Sequence, residues 1–213
     1  MCGRYALYGP RSRHREPVEG EPPDYPTLND VRPSQMVPAL LRECETELLW
    51  WFIPAHAPDP DQFRRTYTTF NARVESVAES RLYGPAWRKS RRCALPMRGY
   101  YEWQAVEGRK RKQRHYIAPV DGGLVYAAGL WEQWRRDETA ALASCTMLIG
   151  APLPELEHIH PRMPVLIPEA MLDEWFSAPP EQAMALLQAL PQPRLGAVPV
   201  DGPIAADWTE PTP

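Results

Sequence analysis

Proline restricts this chain more than any other residue. It fills 26 of 213 positions, roughly twice its usual share of about 5%. Each proline fixes φ near about −65° and removes a backbone N–H, so it interrupts helices and fits poorly in central strands. Several cluster in runs such as "EPVEGEPPDYP" and "APDPD". The expectation is short strands joined by ordered loops rather than long helices.

The hydrophobic pattern agrees. "CGRYALY" reads as a first strand, and residues 9–35 as a long ordered loop. "MVPALLR" and "ELLWWFI" read as strands, and 55–66 as a loop or short helical turn. "YTTFNARVESVAES" turns helical at about Arg73, and "CALPMRGYYEWQ" is strand-like. "GRKRKQRHYIAPV" and "GLVYAAGLWEQW" resemble two strands of a hairpin or meander, followed by a buried strand in "ALASCTMLIGAP". "PEAMLDEWFS" and "PPEQAMALLQAL" carry Pro near the start and apolar i, i+3/i+4 spacing, so they read as helices. With no repeat and no linker, residues 1–213 are expected to form one α+β domain. Its sheet is mostly antiparallel, its helices lie outside, and a loosely packed tail begins at about residue 201.

The formal net charge of −3 argues by itself against nucleic acid, but its distribution does not. Residues 64–114 hold 14 Lys/Arg against 4 Asp/Glu, a net of +10, and the remainder is net −13. Of the 24 basic residues, 21 are arginine, the side chain suited to bidentate phosphate contacts. A basic surface on an acidic body fits a polyanionic partner; a merely solvated charged face is the alternative. The cysteines Cys2, Cys44, Cys93 and Cys145 form no C-x-x-C pair. There is no apolar signal region and no run approaching the roughly 18 residues of a membrane span. These features fit a reducing, cytoplasmic setting without disulfides or membrane contact.

Four stretches could carry chemistry. "MCGRYALYGP" places Cys2 directly behind Met1. If Met1 is removed, residue 2 carries an α-amine and a thiol on adjacent carbons, a pair able to close a five-membered ring on an aldehyde. The thiol could equally attack a carbonyl with the amine as its base. "FNARVES" offers Asn71 and Arg73, "RGYYEWQ" offers Glu102 among aromatics, and "HIHPRMP" offers His158, His160 and Arg162. Each has a plainer reading as a helix cap, an outward strand residue or a hydrogen-bonded turn histidine. His158 and His160 lack a third ligand at a characteristic metal spacing, so no metal or other cofactor is expected.

The motifs "MCGRY", "PSQ", "WWFIP", "FNARVES", "RRCALPMRGYYEW", "AGLWEQW" and "IHPRMP", in this order, resemble the SOS response-associated peptidase (SRAP) family. The similarity runs from residue 2 to about residue 200. It implies a barrel-like, largely antiparallel sheet with peripheral helices. It also implies covalent cross-linking to abasic sites in single-stranded DNA. By position, Cys2 matches the family's cross-linking cysteine, Asn71 its neighbouring asparagine, Glu102 its glutamate and His160 its histidine. Arg4, Arg73 and Arg162 match arginines that hold DNA phosphates, and Trp50 a tryptophan at the DNA surface. Three positions depart from the pattern: Trp51 stands for a glycine, His56 for a tryptophan and Asp30 for an asparagine.

On that resemblance the amine condenses with C1′ of the open sugar and the thiol then closes a thiazolidine. Reference pKa values of ~7.7–8.0 for the amine and ~8.5 for the thiol leave usable free amine and thiolate near neutral pH. Three alternatives stand beside it: an N-terminal-nucleophile amidohydrolase, an autoprocessing peptidase that removes Met1, and a non-covalent single-strand binder. A monomer is expected.

Overall fold

The computed structural model describes residues 2–7, 28–137 and 141–201. Its first half contains β1 (Tyr5–Leu7), β2 (Leu28–Val31), β3 (Met36–Leu40), β4 (Glu45–Trp50), α1 (Pro60–Thr66), β5 (Asn71–Arg73), α2 (Gly84–Arg88) and β6 (Arg92–Met97). There follow β7 (Gly99–Gln104), β8 (Gln113–Pro119), β9 (Val125–Arg135), β10 (Ala141–Gly150), β11 (Met163–Pro164) and β12 (Leu166–Ile167). The described chain ends with α3 (Leu172–Ser177), α4 (Pro180–Ala189) and β13 (Leu195–Pro199).

Five strands close into a barrel. They pair in the order β10-β4-β3-β6-β9, and β9 pairs back to β10. All these pairings are antiparallel except β4 with β10. Period-2 alternation assigns the two faces. Cys93, Leu95 and Met97, with Ala127, Cys145, Met147 and Ile149, form the interior. Ala94, Tyr126, Ala128, Leu130 and Leu148 point outward, where Trp87, Trp175, Phe176, Leu186 and Leu187 of α2, α3 and α4 cover them. Both faces of these strands are thus buried, which is why they read as continuous apolar runs.

The narrow interior demands a glycine. Gly129 lies opposite Cys93 on β6 and Met147 on β10. A Cβ there would lie 2.7 Å from both the Cys93 sulfur and the Thr146 carbonyl oxygen. Gly129→Ala should therefore force the strands apart and lower stability by about 1–3 kcal/mol. A denaturant titration showing an unchanged midpoint would contradict this packing.

A second sheet, β13-β8-β7-β1-β2, packs on the barrel. Its strand β1 pairs Tyr5 with Val31 on one side and Tyr100 on the other. Cys2 and Tyr5 thereby enter the same core as Cys93, Trp50 and Met147.

The α+β class, the antiparallel sheet and the outer helices match the reading of the sequence, and several details differ. Residues 28–31 of the expected loop pair as β2, while 8–27 lie outside the described residues. The segment after Arg73 forms one 3₁₀ turn (Val74–Ser76) and the five-residue α2, not a sustained helix. "CALPMRGYYEWQ" breaks at Arg98 into strands of different sheets. β8 and β9 do not pair as a hairpin: β8 lies between β7 and β13, whereas β9 joins the barrel. Of the expected tail, all but Asp201 lies outside the described residues. No described helix is long and apolar enough to cross a membrane.

One member of the basic segment is structural. Arg92 is buried, and its guanidinium lies over the rings of Trp87 and Trp175. It donates to the carbonyls of Trp175, at 2.8 Å, and Ala178. Burial lowers its pKa to about 10, so it stays charged and ties α3 to the barrel.

Candidate functional site

Four separate segments converge on residue 2. β1 follows immediately after it, β5 supplies Asn71, β7 supplies Glu102, and the loop ahead of β11 supplies His160. Asn71 Nδ2 donates to the Cys2 carbonyl at 2.7 Å. Glu102 lies close enough to raise the proton affinity of the Cys2 thiol. His160 Nδ1 is 3.7 Å from Glu102 Oε1, just beyond hydrogen-bond length. The structure thus brings together the four residues expected to carry chemistry, although they come from widely separated parts of the sequence.

Their environment is dry. Cys2 is fully buried and Glu102 is 2% exposed. Burial pushes the Cys2 thiol well above its usual pKa, and the Glu102 charge adds to the effect. This corrects the expectation drawn from reference values: at neutral pH residue 2 holds a thiol, and a base must deprotonate it. Burial also raises Glu102 to about 7, against the opposing N-terminal ammonium, Trp103 amide and Lys112. A carboxyl that is half ionised at neutrality can both take and return a proton. Burial pushes His160 below its ordinary value, although the Arg162 backbone works the other way. The Arg162 backbone also braces this ring: its N–H reaches Nδ1 at 3.1 Å, and its carbonyl oxygen lies 3.0 Å from the same nitrogen.

Several buried polar atoms here have no hydrogen-bond partner. They are Asn71 Oδ1 and the hydroxyls of Tyr5 and Tyr100. Both tyrosines interact electrostatically with Cys2. Unsatisfied buried polar atoms are uncommon in folded proteins and disfavoured by about 1–3 kcal/mol each. Clustered around one nucleophile, they are unmet donors and acceptors in a packed core. Tyr5 was not singled out in the sequence, and Tyr100 was read there only as crowding Glu102; the signal that brings them together is the β1–β7 register, which pairs them directly.

The arginines expected on phosphate are partly exposed, and two of them are already engaged. Arg162 pairs with Glu75. Arg4 Nε is 3.5 Å from Asp30 Oδ1, and its guanidinium lies 5.5 Å from the centre of the Trp103 ring. Arg73 is exposed at the end of β5. Burial opposes the Glu75 charge, but its own amide and Arg162 outweigh it, with Arg73 contributing, and hold its carboxyl below the usual range. Asp30, the departure from the family asparagine, thus serves Arg4 and also Arg32.

Trp50 is a correction. It is fully buried, donates its indole N–H to the Phe70 carbonyl at 2.9 Å, and packs on Tyr5. No face of it is open to a base. The neighbouring Trp51 is only half-buried, tilts against Phe70 and donates to the Tyr67 carbonyl. Tyr67 itself is 55% exposed.

Comparison with known proteins converges on one group. A family model described as SOS response associated peptidase (SRAP) matches residues 1–206. The abasic site processing protein YoqW of Bacillus subtilis is 32% identical over 207 residues, covering 91% of this chain and 87% of that protein. The abasic site processing protein HMCES of Mus musculus is 23% identical, covering 82% of this chain and 64% of its own length. Among solved structures, a Bordetella bronchiseptica protein aligns with a TM-score of 0.77 at 25% identity, covering 94% of this chain and all of that one. A phage-related protein of the same organism shares the fold with a TM-score of 0.70 at 22% identity, covering 94% and 95% of the two chains.

Proposed function

The chain belongs to the SOS response associated peptidase (SRAP) family, and from that premise we propose that it captures abasic sites in single-stranded DNA through Cys2. The observation that carries the proposal is the convergence of Cys2, Asn71, Glu102 and His160 around unsatisfied polar atoms. An abasic sugar supplies an aldehyde at C1′ and hydroxyl or ring oxygens for those atoms. Relatives such as YoqW are named for abasic site processing, which supports the same substrate class.

The proposed chemistry uses these residues as follows. With Met1 removed, the Cys2 nitrogen attacks C1′ and water leaves, giving an imine. The thiol then adds to the same carbon while its proton passes to the imine nitrogen. Glu102 takes the thiol proton and returns it to nitrogen, which requires a group of near-neutral pKa. Asn71 holds the Cys2 carbonyl with its amide N–H and leaves Oδ1 free to accept from the amine or the sugar. His160 serves the sugar oxygen or the adjacent phosphate. Ring closure removes the imine that would otherwise acidify C2′ and lead to strand cleavage.

A denaturing gel with abasic single-stranded DNA tests the proposal. A shifted band that survives denaturation is expected. Its absence alongside ordinary binding would leave a non-covalent binder. Its absence alongside release of Met1 would favour an autoprocessing peptidase.

Phosphate recognition makes a separate expectation. Non-covalent binding should weaken with salt, the log–log slope being about −0.7 per phosphate neutralised. Arg73→Ala should flatten that slope. Glu75→Gln should strengthen binding, because Arg162 no longer has to exchange a carboxylate for a phosphate. For an exposed pair worth about 0.2–1 kcal/mol, affinity rises by up to roughly fivefold. Equal affinities for the wild type and Glu75→Gln would show that Arg162 does not face the strand.

A further inference from the structure

Beside α4, on the outer side of the barrel, runs a groove that the scheme above does not use. Its volume is about 320 Å³, and it lies between the segment after β5, the end of β10, β11 and α4. Buried Met163 and Leu187 line it, together with half-buried Val74, Val165 and Met184. At one point it narrows to a slot. β10 carries β5 on one side and β11 on the other, and a Cβ on Gly150 would lie 3.3 Å from Val74 Cγ1 and 3.5 Å from Val165 Cγ2. The rim is polar, with exposed Glu75, Gln188 and Gln192. An apolar lining with a few polar groups at fixed places is the usual make-up of a small-ligand site, and such sites begin at about 300 Å³.

Cations stand at its mouth. Arg73 directly precedes Val74, and Arg162 directly precedes Met163, so each of these arginines adjoins a lining residue. Glu75 on the rim pairs with Arg162, and Arg73 acts on the same carboxylate. The groove is therefore apolar within and carries two guanidinium groups at its entrance. β5 connects that entrance with the Cys2 site, because Asn71 at the start of the strand holds the Cys2 carbonyl. At about 3.3 Å per residue, Val74 lies roughly 10 Å beyond Asn71. Three stacked nucleotides, at about 3.4 Å each, cover that distance, and fewer do so where the strand is stretched.

We propose that this groove receives one unpaired nucleobase of the bound strand, within about three nucleotides of the captured sugar, while Arg73 and Arg162 hold the phosphate beside it. The proposal rests on the capture reading for the course of the strand, but not for its test. A nucleobase is flat and apolar on its faces and polar only at its edge. The slot at Gly150 suits the flat ring, and the flexible thioether of Met184 makes favourable contact with an aromatic system. Gln188 and Gln192 each offer a donor and an acceptor at the rim, so the edge of any base finds a partner. A phosphate does not fit inside, because its charge would be buried against valine, leucine and methionine without a counterion. It belongs at the mouth, where the arginines are.

The test measures binding without the chemistry. Fluorescence anisotropy of the full-length protein compares single strands that carry one tetrahydrofuran residue, an abasic analogue with no aldehyde, with strands that carry a second tetrahydrofuran at each neighbouring position in turn. Deleting the base that occupies the groove should weaken binding about tenfold, as for the loss of one base contact, and deleting the others should not. Ala151→Trp and Gln188→Trp fill the groove from two exposed positions on its rim. Either variant should bind the singly substituted strand about tenfold more weakly than the wild type and show no further penalty for the second substitution. The absence of a penalty at every position overturns the proposal, as does a penalty of wild-type size in both filled variants. If the penalties follow this pattern but authentic abasic DNA gives no adduct, the groove stands and the capture reading falls. If the adduct forms and no penalty is seen, the groove alone falls.

Discussion

Cys2→Ala, processed so that residue 2 is N-terminal, should bind undamaged single strands normally and give no adduct that survives denaturation. Residue 2 is fully buried, and its backbone carbonyl is held by Asn71, so alanine fits the same space and leaves the strand surface intact. What disappears is the thiol. The amine remains and can still form an imine, which has no intramolecular trap. This variant should therefore nick abasic DNA by β-elimination where the wild type protects it. A form that retains Met1 should behave differently again. Its Cys2 nitrogen is an amide, so neither imine nor ring can form, and both adduct and nicking are lost. Comparable cross-linking by the Met1-retaining form and the processed wild type would rule out ring closure and return Cys2 to the role of a hydrolase nucleophile.

Glu102→Gln should slow adduct formation by about 10²–10⁴-fold, the usual contribution of a positioned acid–base group. The same substitution should make the protein more stable, with a definite pH dependence. The Glu102 pKa is raised by burial to about 7 in the folded state, against about 4.3 in an unfolded chain. Between those values the folded state binds more protons, so its stability declines as pH rises through the window. Above about pH 7 the ionised carboxyl costs on the order of 3 kcal/mol, which glutamine does not incur. Chemical denaturation at pH 5 and pH 8 checks this: the gain from Glu102→Gln should be small at the lower pH and large at the higher. A constant gain would mean that Glu102 does not titrate in this window.

The residues of the site were legible because each sits in a short, distinctive motif. Taken singly, Asn71, Glu102 and His160 read equally well as a cap, an outward strand residue and a turn histidine; the fixed order of their motifs set them apart. Trp50 was misplaced because β4 runs into a segment buried on both faces. Period-2 alternation carries no signal there, so nothing local told Trp50 from Trp51. The β8–β9 hairpin failed for a related reason. Two strands close in sequence favour pairing, but β8 fits between β7 and β13, and β13 joins it from some 80 residues away. Arg92 looked like one of many surface cations because the tryptophans that enclose it come from α2 and α3.

The placement of residue 2 has a mechanical consequence. If DNA is attached there as proposed, tension on the strand would enter the protein through Gly3 and Arg4 and run along the axis of β1. That strand is paired on both sides, to β2 and β7, and further bonds link Tyr101 N–H to the Arg4 carbonyl and Arg98 N–H to the Ala6 carbonyl. A pull along the axis loads these bonds together, in shear, so none peels away alone. The buried ring of Tyr5, packed on Trp50, must leave the core before β1 can slide. On the proposed capture, a strand under tension would therefore be moored to the second sheet and the core it shares with the barrel, not to a free-swinging terminus.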